Sequence, residues 1–423
     1  MNKKFFPADI ASWLEPRRFI ICVILLSGSI YLYISTILIH LAAVAGLFFL
    51  CKGMNFNTRT AATASLIFAV LPINTEAIVW MGARFDLLSA CLTIWTVFLY
   101  LKYRSTKRPL FYFWALVCFS FAVFSKENAY VTPFILLSLE SLIVVKRRWK
   151  PVFGFFLVAI VFLIYRWYVL GGIGGYTDAS GAPSTFNVGI KTLIGLFSRV
   201  PAQSLLGFNW AHTFFTEVAI LASLTSSILL ITALAAKSRS LRLKRLLFCF
   251  SWILLTVIPA HPLLFINANL TNSRILYLGS AGAAVLVGQL ISSIETLQTR
   301  WIIRGMMVSL FCISSLLNLG AWRYTSGLSK KLLTEISQLE PFPPPDTLFI
   351  FHNTPLAVRG VFNLHVGLRD AIRITYNRND LFAVRHGERA AGNGSDSPPR
   401  TVIDLEWKEN GEFLLKRLGK THP

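Results

Sequence analysis

The chain has 423 residues, of which 54% are hydrophobic and 14% charged, with a mean hydropathy of +0.59; a soluble domain carries about a quarter charged residues, so water is excluded as the main solvent. The formal net charge is +21, but residues 323–423 hold 14 Lys and Arg against 11 Asp and Glu, which leaves 27 basic and 9 acidic residues in 1–322. Most of those basic residues sit in short clusters between apolar runs, the pattern of cytoplasmic loops rather than of a nucleic-acid groove, so a nucleic-acid partner is excluded.

In chain order, residues 1–17 form a short N-terminal segment with Lys3, Lys4, Arg17 and Arg18, which favours a cytoplasmic start; it has no small-residue cleavage site of a signal peptide. A spanning helix needs about 20 apolar residues. Candidates lie at roughly 18–33, 34–51, 59–72, 86–103, 109–124, 129–145, 151–170, 214–236, 245–260, 274–294 and 301–322, about eleven in all. Residues 189–208 are apolar enough to span, yet a span there would reverse the side of the basic run 238–245, so a re-entrant or interfacial helix is expected instead. The basic connections 52–59, 102–108, 146–150, 237–245 and 300–304 then share the cytoplasmic side. Connections 73–85, 125–128, 171–213 and 261–273, with everything after 322, face the other way.

After Trp322 the periodicity is read as changing. Pro341–Asp346, PFPPPD, is a stiff linker. Beyond it come β-like runs at TLFIFHN, VFNLHVG, TVIDLEW and FLLKRL and a loop at 391–400 expected to be mobile. The expected fold class is an all-α polytopic membrane bundle over 18–322 with a small C-terminal α+β soluble domain over 323–423. The six cysteines lie in or beside apolar segments without a CxxC pair and read as buried thiols.

Carboxylates in an apolar chain are the natural places to look for function, because an ionisable group near hydrocarbon is expensive. Glu76, Asp86, Glu127, Asp178 and Glu217 fall at or near the non-cytoplasmic ends. The stretch 71–88, LPINTEAIVWMGARFDLL, carries Glu76, Trp80, Arg84 and Asp86. If it is helical, Glu76, Trp80 and Arg84 share a face: an acid, an aromatic platform and a guanidinium suited to phosphate. The plainer alternative is that Arg84 and Asp86 neutralise each other at the membrane boundary. In 125–133, SKENAYVTP, Lys126 suits a phosphate and Glu127 can pair with it, or the two form a helix-end cap. Arg166 inside an apolar run needs an anion or carbonyls, unless it snorkels; Arg274 with Tyr277 opens a later span. His40 and His261 near the boundaries have no metal-ligand spacing and read as core histidines, so no metal site is assigned.

These segments resemble a known family. HLAAVAGLFFL, the 71–88 stretch and FSKENAYVTPFILLSLE, followed by LIYRWYVLGGIGGY (163–176) and WILLTVIPAHPLLFINANLTNSRILYLGSAGAAVL (252–286), are similar to the GT-C class of membrane glycosyltransferases. Within it they most resemble the membrane region of the transmembrane and tetratricopeptide-repeat O-mannosyltransferase family, without the repeats. The family pattern HPxHTEAVxWxxGRADLL is matched at Pro72, Thr75, Glu76, Ala77, Trp80, Arg84, Asp86, Leu87 and Leu88, with Leu71 and Asn74 where the family has histidines. The tail HNTPLAVRGVFNLHVGLRDAIRI is similar to the small domain that ends many bacterial members.

The resemblance implies transfer of a sugar from a polyprenyl-phosphate donor to a glycan or protein acceptor on the non-cytoplasmic face of a bacterial inner membrane, with the C-terminal domain periplasmic and the partners membrane lipid and lipid-linked sugar. It implies no certain cofactor and leaves a divalent metal open. Implied roles are catalytic for Glu76, Asp86 and Asp9, and donor-phosphate binding for Arg84, Lys126, Arg166 and Arg274, with Trp80, Glu127 and Tyr277 nearby. Family members carry their acidic base on a long first external loop; only residues 1–17 precede the first apolar run here, and Asp9 is the carboxylate expected to stand in for it. A catalytically inactive, lipid-binding scaffold is therefore the alternative, and a lipid or polysaccharide transporter a weaker one.

Overall fold

In a computed structural model, described here for residues 16–170, 203–204, 240–258, 269, 271–294, 296–364, 367–386, 401–409 and 413–421, the chain is a helical bundle joined to a small sheet. Helix α1 (Pro16–Gly53) is followed by α2 (Thr58–Val70), a 3₁₀ turn (Pro72–Asn74), α3 (Thr75–Val79), a second 3₁₀ turn (Met81–Ala83) and α4 (Arg84–Thr106). Then come α5 (Pro109–Ser125), a 3₁₀ segment (Glu127–Val131), α6 (Thr132–Leu142), α7 (Lys150–Leu170), α8 (Ser240–Val257), a 3₁₀ turn (Ser273–Leu276), α9 (Tyr277–Ser292) and α10 (Leu297–Leu339). Among the described residues five helices are long and apolar enough to cross a membrane, or six if α2 and the turn after it, bent by 47°, count as one broken span. The expected spans at 214–236 and the re-entrant segment at 189–208 lie outside the described residues, save Gln203 and Ser204.

The expected pair 18–33 and 34–51 is instead the single helix α1 of 38 residues, about 57 Å long at 1.5 Å per residue. No proline occurs between Pro16 and Pro72 to break it, and the helix continues through Ser27, Gly28 and Ser29. Pro16 therefore lies at the opposite end of the helix from Lys52.

Small residues let the helices close up. On α9, Gly288 lies so near α2 that a Cβ there would meet Ala64 at 2.9–3.0 Å, and a Cβ on Gly282 would meet the carbonyl of Cys249 on α8 at 3.1 Å. Such close approach supplies the packing that membrane helices rely on where burial from water is no longer the driving force. The basic connections gather at one end: Arg245 donates to the carbonyl of Asn55 at 3.2 Å and covers the Phe56 ring at 4.6 Å, and Lys52 reaches Thr58 at 3.0 Å. The same end holds a buried clamp in which Arg104 pairs with Glu140 while Tyr100 (2.7 Å) and the backbone N–H of Arg148 (2.9 Å) also donate to that carboxylate.

Helix α10 does not stop at Trp322 but runs unbroken for 43 residues to Leu339. One stripe, Phe311, Ser314, Asn318, Ala321, Thr325, Leu328, Leu332 and Ile336, is buried along it at spacings of three and four. Its first half packs on α2; its second half roofs the C-terminal sheet, where Leu328, Leu332 and Ile336 meet Phe349, Phe351 and Ile403. The sheet has strands β1 (Thr347–His352), β4 (Phe382–Arg385), β5 (Thr401–Glu409) and β6 (Phe413–Thr421) in the order β4-β1-β5-β6, with β1 parallel to both neighbours and β6 antiparallel to β5. A two-residue pair, β2 (Ala357–Val358) and β3 (Val361–Phe362), and helix α11 (Leu368–Tyr376) lie between β1 and β4. The strand at VFNLHVG is thus only two residues long, and the loop at 391–400 lies outside the described residues.

Candidate functional site

At the end of the bundle opposite the basic connections, the chain between α2 and α4 is held by side chains from later helices. Asn74 donates to the carbonyl of Phe68 at 3.0 Å and accepts from Ser280 on α9 at 2.8 Å; Asn318 on α10 donates to the carbonyl of Pro72 at 3.1 Å. Pro72 opens the 3₁₀ turn, where its missing N–H costs nothing. At Trp80 the backbone becomes extended (φ −82°, ψ 115°), so the helical spacing from Glu76 reaches Trp80 but not Arg84. Gly82 makes room for the Trp80 indole, three atoms of which would lie 3.0–3.3 Å from a Cβ there.

Glu76 is completely buried, and its partner is Arg274, 198 positions away. The Arg274 guanidinium donates to Oε1 at 2.9 Å, while its backbone N–H and the Ser273 hydroxyl donate to Oε2 at 2.8 and 3.0 Å. Arg274 also faces Asp86 at 3.8 Å and lies over the Trp80 ring at 4.6 Å. The aromatic platform expected for Arg84 therefore serves Arg274. Asp86 is held loosely, accepting from Asn128 at 3.4 Å, and Lys126 acts on it as a second cation. Lys126 pairs with Glu127 at 3.3 Å and Arg166 reaches the other oxygen of Glu127 at 3.5 Å, so Arg166 has a protein carboxylate.

Three carboxylates, Glu76, Asp86 and Glu127, thus meet four cations, Arg84, Lys126, Arg166 and Arg274, at one end of the bundle. Arg84 is the surplus one. Among the described residues it has no carboxylate, and its buried Nε finds no hydrogen-bond acceptor; the mutual neutralisation of Arg84 and Asp86 is not what the fold builds. Three hydrogen bonds engage both Glu76 oxygens, whereas Asp86 is bonded by its own backbone N–H and reached by the side chains of Asn128 and Arg274 only at 3.4 and 3.8 Å. Tyr277 stands apart from the cluster: it is 1% exposed and its hydroxyl bonds Nδ1 of His40 at 2.7 Å. His40 Nε2 donates to the carbonyl of Ala69 at 3.2 Å, so this histidine is a satisfied core residue. Asp9 and His261, together with Asp178 and Glu217, lie outside the described residues.

Sequence reasoning placed Glu76, Asp86, Lys126 and Arg274 on one side and missed Ser273 and Asn128, whose only sequence signal is their position beside the charged residues they serve. No three of His, Cys, Asp and Glu among the described residues stand together as a metal-ligand set. No family model, curated protein or solved structure matches the chain.

Proposed function

We propose that the chain is a membrane glycosyltransferase of GT-C type that takes a sugar from a polyprenyl-phosphate carrier and delivers it to a glycan or protein acceptor. The observation that carries this reading is the surplus cation: Arg84, unpaired among the described residues, beside the loosely held carboxylate of Asp86. A half-buried guanidinium whose buried Nε lacks an acceptor is costly, and two oxygens of a phosphate ester can accept from its planar fork in bidentate fashion. The acceptor O–H gives its proton to the Asp86 carboxylate as the acceptor oxygen bonds the anomeric carbon. The bond from that carbon to the carrier phosphate breaks, and its electron pair leaves on the phosphate oxygen, where Arg84 and Lys126 stabilise the charge. Glu76, by fixing Arg274, positions the site rather than reacting. The basic connections at the opposite end support a site on the non-cytoplasmic face, and on this reading the C-terminal domain is periplasmic in a bacterial inner membrane.

A lipid-binding scaffold is the second reading, favoured by the full engagement of Glu76. The two separate on turnover. Purified chain is given a polyprenyl-phosphate-linked sugar and candidate acceptors; wild type releases the carrier phosphate, while Arg84→Ala and Asp86→Asn insert and fold but lose release by at least about a hundredfold. Unchanged release by both variants would remove the proposed site, and donor binding without turnover would leave the scaffold.

A further inference from the structure

Beyond that site, the outer half of α10 carries a second feature. Asn318 contacts Pro72 at the level of the carboxylate cluster, and Arg323 follows five residues later, about 7.5 Å further out along the helix. There an open cleft of about 620 Å³ lies between α10 and the β2–β3 turn, lined by Arg323, Tyr324, Lys331 and Arg359 with Gly320 and Gly327 on its floor. Nothing stands within 4 Å of where a Cβ would be on either glycine, so the floor is open. No acidic residue is among the described residues that line it; Glu335, one turn beyond, pairs with Lys331 at 3.5 Å.

Arg359 is held in an uncommon conformation. It has φ 50° and the following Gly360 φ 77°, the two positive values of a tight hairpin turn whose first position favours Asn or Gly. A long side chain is disfavoured there. The turn sets its guanidinium 3.7 Å from the centre of the Tyr324 ring, which fixes the cation over the cleft. Tyr324, exposed on this helix, suits the height at which aromatic side chains sit between lipid tails and water.

We propose that this cleft binds the phosphate of an anionic lipid headgroup at the bilayer surface. Three cations around an open floor that no described acidic residue lines suit a phosphodiester, and the tail of such a lipid would lie along the exposed apolar face of α10 at Leu316 and Leu317. The proposal rests on α10 crossing the bilayer and not on the transferase reading.

The test titrates the purified full chain with phosphatidylglycerol and with phosphatidylcholine and counts bound lipid by native mass spectrometry. The variant combines Arg323→Ser, Lys331→Ser and Arg359→Asn, all exposed positions, with Asn chosen because it tolerates the turn. A control removes the same charge from the basic end by Lys146→Ser, Arg147→Ser and Arg148→Ser. The cleft variant should melt like wild type and bind phosphatidylglycerol on the order of a hundredfold more weakly, with phosphatidylcholine unchanged and the control within a few-fold of wild type. Phosphatidylglycerol binding that survives in the cleft variant, or falls equally in the control, overturns the site. Displacement of the lipid by millimolar inorganic phosphate overturns its assignment to a headgroup.

Discussion

Replacing Arg274 tests how the buried cluster is held together. Its guanidinium serves two carboxylates unequally, Glu76 at 2.9 Å and Asp86 at 3.8 Å. Arg274→Gln strips Glu76 of its counter-charge and leaves Asp86 with Lys126 alone, and breaking a buried pair in this way costs about 3–5 kcal/mol. Glu76→Gln keeps an acceptor for the backbone N–H and the Ser273 hydroxyl and leaves Arg274 the more distant Asp86, so about 3 kcal/mol is expected. Asp86→Asn removes the long contact to Arg274 and the attraction of Lys126 but keeps a polar side chain, and should cost about 1–2 kcal/mol. Combining Glu76→Gln with Arg274→Gln removes both charges together and should cost about 2 kcal/mol less than the two single changes summed. Reversible unfolding of the full chain in mixed detergent micelles measures all four. If Asp86→Asn proved as costly as Arg274→Gln, or the double variant were additive, the assignment of Glu76 as the principal partner would be refuted.

Glu140→Gln, which leaves Arg104 buried and unpaired at the basic end, should cost about 3 kcal/mol, while Lys331→Ala, which breaks a half-exposed pair with Glu335, should change unfolding by less than about 0.5 kcal/mol. Gly288→Ala drives a Cβ into the Ala64 backbone and should destabilise by about 1–3 kcal/mol, whereas Gly305→Ala on α10, with nothing within 4 Å, should be neutral or stabilising by up to about 1 kcal/mol in the same unfolding assay. In the C-terminal domain Arg378 hydrogen-bonds Asp380 and holds its carboxyl down at about 2, and the same guanidinium grips the carbonyls of Pro343 and Pro344. A depressed carboxylate stabilises above its unfolded value of about 3.9 and loses that effect as pH falls through the folded one. Pepsin cleavage at exposed Phe342 should therefore accelerate in wild type relative to Asp380→Asn as pH drops from about 4 to about 2; a constant ratio across that range would rule the pair out as the linker's acid-sensitive latch.

Much of this architecture could be read from the chain because the solvent enforces it. Lys52, Arg104, Arg148 and Arg245 mark one end since basic loops stay together, and Glu76, Asp86 and Arg274 stand out because hydrocarbon tolerates few charges. What could not be read depends on long-range partners or on the absence of a break. Glu76 finds Arg274 rather than Arg84 because the backbone turns extended at Trp80, and spacing along one segment says nothing about a residue 198 positions on. Helix α1 is one piece because apolar composition marks where a span can lie but only a turn residue divides it. At Trp322 the drop in hydropathy was mistaken for a change of period: Ala321, Thr325, Leu328, Leu332 and Ile336 keep the helical spacing, and only the solvent around them changes.

The two buried ionic clusters separate structure from function by how completely they are satisfied. Around Glu140, Tyr100, Arg104 and the Arg148 backbone supply four hydrogen bonds to one carboxylate, and a further Arg104 donor closes on the carbonyl of Lys146. Nothing is left over, and such a group costs least when every partner is present. At the other end Glu76 takes three hydrogen bonds, but side chains reach Asp86 only at 3.4 and 3.8 Å and Arg84 leaves a buried Nε donor open. Incomplete satisfaction in a low-dielectric setting is unfavourable unless a ligand completes it, so the deficit points to where an anion enters. Arg84 carries this inference most directly: with no partner among the described residues to lose, Arg84→Ala should leave the unfolding transition within about 0.5 kcal/mol of wild type while abolishing phosphate-dependent donor binding. A large loss of stability would instead make Arg84 part of the scaffold.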